Sequence, residues 1–167
     1  MIKTVSQFID GLSKFIALFS GLAILGIAIM QFLEIVLRNL VGISLPFVWE
    51  YASYMHMGAI FLAAAYTLRV GGHIRVTLFQ KFNPYLFECI SSLVALLISA
   101  YLSFALVRFA AGFAMSGRTS GTVNDVPLII PGAIVAAGSC LLTLQLVLRL
   151  IFSLTNRSVE ITESTVR

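Results

Sequence analysis

The sequence predicts an all-α integral membrane protein of four transmembrane helices with both termini in the cytoplasm. Three observations predict it: too little charge for a wet surface, four charge-free stretches of bilayer length, and a crowding of bases on one side. The chain has 167 residues, 59% hydrophobic and 11% charged, with a mean hydropathy of +1.01. A soluble domain carries about 25% charged residues because it must cover its core with solvated surface. Lipid over most of the exterior accounts for the shortfall.

The first apolar run extends from about Phe15 to Leu33, the second from Tyr51 to Leu68, the third from Cys89 to Val107 and the fourth from about Val126 to Leu148; none contains Asp, Glu, Lys or Arg. Runs of roughly 18 residues or more suit a transmembrane helix, whereas a buried helix of a soluble protein is usually shorter. The rest of the chain is tails and short connections, which leave no room for a separate catalytic domain. Residues 1–167 therefore read as one four-helix transmembrane domain. With their flanking turns the spans cover about 15–37, 47–69, 86–108 and 126–152, and a short cytoplasmic tail follows at 153–167.

The second span carries its own rulers. Glu50 and Arg69 bracket it, and at 1.5 Å per residue they stand roughly 28 Å apart, close to the hydrocarbon thickness. Pro46 suits a first helical turn, Glu50 the positive end of the helix dipole and Arg69 the negative end, and Gly71 and Gly72 stop the helix.

Orientation follows from the bases. An even number of spans puts both tails on one side, together with Lys3, Lys14, Arg69, Arg75, Lys81, Arg149, Arg157 and Arg167; Arg38, Arg108 and Arg118 fall on the other. The positive-inside rule makes the richer side cytoplasmic. The first apolar run is longer than a signal-peptide core and lacks an obvious small-residue cleavage site, so it is expected to be retained. A pI near 9.4 would suit nucleic acid, but the bases are dispersed along membrane rims without an aromatic array, and anionic headgroups suit them better.

Small residues at four-residue spacing, Ala17 and Gly21, Ala59 and Ala63, Ser99 and Ser103, Gly132 and Ala136, predict close helix packing. The tract from Met115 to Asp125 reads as a polar outer connection, either flexible or open to a partner. Cys89 and Cys140 form no CxxC pair and read as packing residues. His56 and His73 lie at different depths, so they cannot sandwich a haem, and His56 too reads as packing. No phosphate loop, nucleophile elbow or zinc motif occurs. The sequence thus predicts no enzyme, no cofactor and no metal.

Charged groups near the outer surface say more. Glu34 and Arg38, four residues apart, suggest a pair within the first helix, and Glu50 a pair with Arg108 or with another protein. Snorkelling to water is the plainer role for all four, and an assembly surface the sharper one. No acid stands near the midplane of any span, which speaks against transport by this chain alone.

The stretch "RNLVGISLPFVWEYASYMHMGAIFLAAAYTLRVGGHIRVTLF" from Arg38 resembles the small membrane subunit, DctQ-like, of tripartite ATP-independent periplasmic (TRAP) transporters. The likeness rests on Arg38, Trp49, Glu50, Arg69, Gly71, His73, Ile74 and Val76, and extends over nearly the whole chain through its length, its spans and the prolines Pro127 and Pro131. Thr77 stands where the family often has an aspartate, and Gly72 where an acid usually precedes the histidine. The resemblance implies a small permease subunit in the bacterial inner membrane. It would scaffold a large elevator-type permease subunit during sodium-coupled uptake of an organic acid such as a C4-dicarboxylate or sialic acid. A periplasmic binding protein would deliver the acid and dock on the large subunit, or on both. The residues assigned to subunit contact or lipid headgroups are Arg38, Trp49 and Glu50 at the outer rim and Arg69, His73 and Arg75 at the inner rim. Two other readings compete: an autonomous small four-helix exporter, and the membrane anchor of a redox complex.

Overall fold

The computed structural model describes residues 2–70 and 84–154, excluding the side chains of 2–6, 8, 84–89 and 152–154. Four helices make up these residues: α1 (Ile2–Leu40), α2 (Pro46–Arg69), α3 (Pro84–Ser116) and α4 (Ile129–Leu154). The fold is all-α, as the composition predicts. Helix α1 begins well before the apolar run it carries, and α3 continues two turns past Arg108. Residues 126–128, expected to open the fourth span, lie in the loop before α4.

Local chemistry sets the α1–α2 turn. Gly42 takes a left-handed φ of 73°, which a glycine adopts without a Cβ clash, and the Ile43 amide bonds back to the Leu37 carbonyl at 3.3 Å. That closes α1 in the manner of a glycine C-cap. Pro46 then opens α2, where its missing N–H costs nothing. At the far end of α2 the Val70 amide bonds to the Tyr66 carbonyl at 3.1 Å.

The helices stand in a row rather than a closed bundle. Helix α1 packs on α2, α2 on α4 and α4 on α3, while α1 scarcely meets α4; among the described residues α1 and α3 share no contact. Each flanking helix is held along one narrow seam. On α1 the buried positions are Ile9, Ser13, Ser20, Ile27 and Glu34, and from Ser13 they recur every seven residues, the repeat of a left-handed helix pair. On α3 they are Ser92, Ser99, Ser103 and Ala110. Phe15, Leu22 and Phe32 of α1 and Leu97, Tyr101 and Phe104 of α3 all face outward.

Helices α2 and α4 meet backbone to backbone at Gly138. A Cβ there would stand 2.6 Å from the Phe61 carbonyl carbon, so only glycine fits. Of the small pairs in the sequence, Ser99 and Ser103, Ala59 and Ala136 are buried, and Gly132 lies against Ala110. Gly21 faces open space, with nothing within 4 Å of its Cβ position.

Among the described residues three helices, over Ile9–Leu40, Ile90–Ser116 and Ile129–Ile151, are long and apolar enough to cross a membrane. Helix α2 lies outside that set. Between Glu50 and Arg69 it has no Asp, Glu, Lys or Arg, but Tyr51, Ser53, Tyr54, His56, Tyr66 and Thr67 dilute its apolar content.

Candidate functional site

At the end where α1 passes into α2, two carboxylates organise the connections. Glu34 is 1% exposed. It accepts hydrogen bonds from the Ser44 hydroxyl at 2.9 Å and from the Leu45 amide at 2.6 Å. It does not pair with Arg38 as the i, i+4 spacing suggested; Arg38 is exposed and forms no ion pair among the described residues. The reason is competition, because a buried amide at a helix start holds a carboxylate better than a solvated guanidinium does.

Glu50 stands just before the apolar run of α2 and reaches the α3–α4 loop. It accepts from Thr122 Oγ1 at 2.6 Å, Asn124 Nδ2 at 2.7 Å and the Tyr54 hydroxyl at 3.1 Å. Hydrogen bonds from Ser120, then Thr122, Asn124 and Tyr54, hold its carboxyl down at about 2. The anticipated Glu50–Arg108 pair is absent. Arg108 is exposed and lies over the Phe104 ring, 5.8 Å from its centroid.

The loop that Glu50 grips is ordered by its own bonds. The Ser120 amide bonds to the Val126 carbonyl at 2.9 Å and the Leu128 amide to the Arg118 carbonyl at 3.0 Å, and Thr119 Oγ1 donates to Asp125 at 2.9 Å. Positive φ values at Gly117, Gly121 and Asp125 let it turn this tightly. Val123 at its tip is 93% exposed.

The other end holds a second polar layer. Arg69 pairs with Asp10 at 3.1 Å, its side chain 44% exposed. Gln145 Nε2 donates to Asp10 at 3.3 Å and to Ser13 Oγ at 3.1 Å, so α1, α2 and α4 are tied at one level. His73 and Arg75 lie outside the described residues. Between α3 and α4, Thr143 Oγ1 lies 2.7 Å from Ser99 Oγ and 2.8 Å from Ser103 Oγ.

Asp10, Gln145, Thr122 and Asn124 were not singled out from the sequence; Tyr54, four residues beyond Glu50, was the legible one. Two packing expectations are corrected. Cys140 is exposed, and so is His56, because the faces of α2 and α4 that carry them turn away from their neighbours. Trp49 is 53% exposed on α2. On the opposite side, α1, α2 and α4 enclose an open apolar groove of about 470 Å³, lined by Phe19, Tyr54, Met55, Leu62, Pro127 and Ile134 among others. Among the described residues no three of His, Cys, Asp and Glu gather as metal ligands.

An apolar exterior on long helices, with polar groups gathered at the two ends, defines a multi-pass membrane protein. The chain belongs to the DctQ component family of tripartite ATP-independent periplasmic transporters, whose family model matches residues 27–156. It is thus the small membrane component of a three-part system that also has a large membrane component and a periplasmic binding component, and it is not an enzyme. No curated protein and no solved structure matches the chain.

Proposed function

We propose that the chain is the static scaffold of its transporter. It binds the large, elevator-type permease subunit in the bacterial inner membrane, with both termini in the cytoplasm. The complex performs sodium-coupled uptake of an organic acid, such as a C4-dicarboxylate or sialic acid, delivered by the binding protein. The observation that carries this reading is the open row of helices in a chain of this family: α1 and α3 each use one seam within the chain, leaving broad apolar faces for a partner and for lipid. The distribution of Lys and Arg supports the orientation, and all four helices, α2 included, serve as spans in it.

In this scaffold Arg38, Trp49 and Glu50 form the outer rim and Arg69, His73 and Arg75 the inner rim, in contact with the large subunit or with headgroups. Glu50 holds the α3–α4 loop in one shape, and that loop is a surface the binding protein can meet directly.

Reconstitution tests the reading. Liposomes with the chain and its large component should accumulate a labelled organic acid when the binding protein and a sodium gradient are supplied, and should lose that uptake when the chain is omitted. Accumulation by the chain alone would overturn it. Glu50→Ala should lower the yield of the co-purified complex or the rate of uptake.

A further inference from the structure

We propose that the face of α2 carrying Trp49, Ser53, His56 and Ile60 is covered by a transmembrane helix of the large membrane component, and that this helix presents a hydrogen-bonding group to the His56 imidazole. The inference rests on the scaffold reading and names its contact surface.

The four residues recur at the spacing of one helical stripe, and all four are exposed. The buried residues Gly58 and Ala65 lie on the opposite side of the helix, and Val48, Ala52 and Ala59 along one flank between the two. His56 is six residues below Glu50 and thirteen above Arg69, which puts it roughly 9 Å beneath one charged layer and 20 Å from the other. That depth is within the hydrocarbon.

A neutral imidazole has one donor and one acceptor. Neighbouring polar groups on the stripe are already used: Ser53 Oγ donates to the Trp49 carbonyl at 2.8 Å, and Thr67 Oγ1 to the Ala63 carbonyl at 3.0 Å. No described group bonds to His56. Lipid tails offer no partner, and an unpaired ionisable side chain in hydrocarbon is costly, so such residues face protein or water-filled cavities. Among the described residues no other helix covers that face, since α3 has no contact with α2.

Helix α2 is also the one helix of the four that is not apolar enough on its own to count as a span. Lipid-facing surface on α1 and α3 is aliphatic and aromatic, whereas this stripe of α2 is mixed. A helix enclosed on one side by α1 and α4 and on the other by a partner can have that composition. The occupant is accordingly a membrane helix with a hydroxyl, carboxamide or similar side chain at the depth of His56 and small or apolar residues around it.

The complex of the full chain with its large component provides the test. A photo-crosslinking amino acid at position 56 or 60 should capture the large component, and at Leu97 or Tyr101 of α3 it should capture lipid. His56→Leu should lower the yield of complex roughly three- to tenfold with the thermal midpoint of the isolated chain unchanged, and His56→Gln should restore much of the yield. Capture of lipid alone, or of a second copy of this chain, from positions 56 and 60 overturns the proposal, as does an unaltered yield with His56→Leu. If the complex forms but crosslinks only through α1 or α3, this surface is wrong and the scaffold reading stands. If the unsubstituted chain retains no large component, both fall.

Discussion

The Leu45 amide donates to the Glu34 carboxylate at 2.6 Å, so a side chain of α1 fixes the residue from which α2 starts. Leu45 is itself the N-cap residue and provides no side-chain cap; Glu34 supplies from another helix what the N3 glutamate of a capping box supplies locally, an acceptor for the N-cap amide. Its charge also faces the positive end of the α2 dipole.

Glu34→Ala leaves the Leu45 amide and the Ser44 hydroxyl without their acceptor. The expected loss is about 1.5–3 kcal/mol, since hydrogen bonds to a carboxylate are worth about that much. Glu34→Gln keeps one acceptor oxygen and loses less. Thermal midpoints of the purified chain in detergent measure both, and equal midpoints for wild type and Glu34→Ala would refute the cap.

Gly138→Ala puts a methyl group 2.6 Å from backbone at Phe61. Backbone cannot swing aside as a side-chain tip can, so α2 and α4 must separate, at about 1–3 kcal/mol. Gly21→Ala is the control: its Cβ meets open space, and the better helix propensity of alanine makes it neutral or mildly stabilising, by up to about 1 kcal/mol. A midpoint that drops for Gly21→Ala and holds for Gly138→Ala would contradict the packing described.

The helices were legible because hydrocarbon thickness and charge-free length are read directly along the chain, and Pro46 and Arg69 mark the two ends of α2 in plain sight. Rotation of each helix was not. Where nearly every face is apolar, hydrophobic periodicity carries no phase, so it gives no sign that Cys140 and His56, which read as packing residues, are exposed on the chain's surface. Partners across connections were hidden for a different reason. The i, i+4 rule sees Arg38 beside Glu34, but it cannot see that a turn brings Leu45 back, or that residues seventy positions away, Thr122 and Asn124, close over Glu50. Asp10 precedes the apolar run of the first span, and nothing in its local sequence signals that Arg69 lies against it.

At that second end the buried member of the cluster should matter more than the charged pair. Arg69 is 44% exposed, and ion pairs so hydrated contribute between about 0 and 1 kcal/mol. Gln145 is 6% exposed and serves both Asp10 and Ser13, so Gln145→Leu removes two bonds from a dry site and costs about 1–2 kcal/mol. Arg69→Gln should shift the thermal midpoint less than Gln145→Leu, and high salt should narrow the difference between wild type and Arg69→Gln. The reverse ranking would mean that the ion pair dominates.

Acid should release the α3–α4 loop through Glu50. Its carboxyl is held at about 2, below the ordinary 4.5, by bonds from Ser120, Thr122, Asn124 and Tyr54. A carboxyl depressed in the folded state stabilises it fully above the ordinary value, and that contribution fades as pH falls from about 4.5 toward about 2. Glu50→Gln lacks the titration. Its midpoint should therefore lie below that of wild type at about pH 6 and approach it near about pH 2, while the other acids titrate alike in both proteins and cancel in the difference. Protection from hydrogen exchange at the Ser120 and Val126 amides, which bond within the loop, should fall over the same window in wild type once the intrinsic pH dependence of exchange is divided out. In Glu50→Gln it should be low throughout. A constant gap between the two midpoints from neutral pH to acid would show that charge on Glu50 has no part in holding the loop.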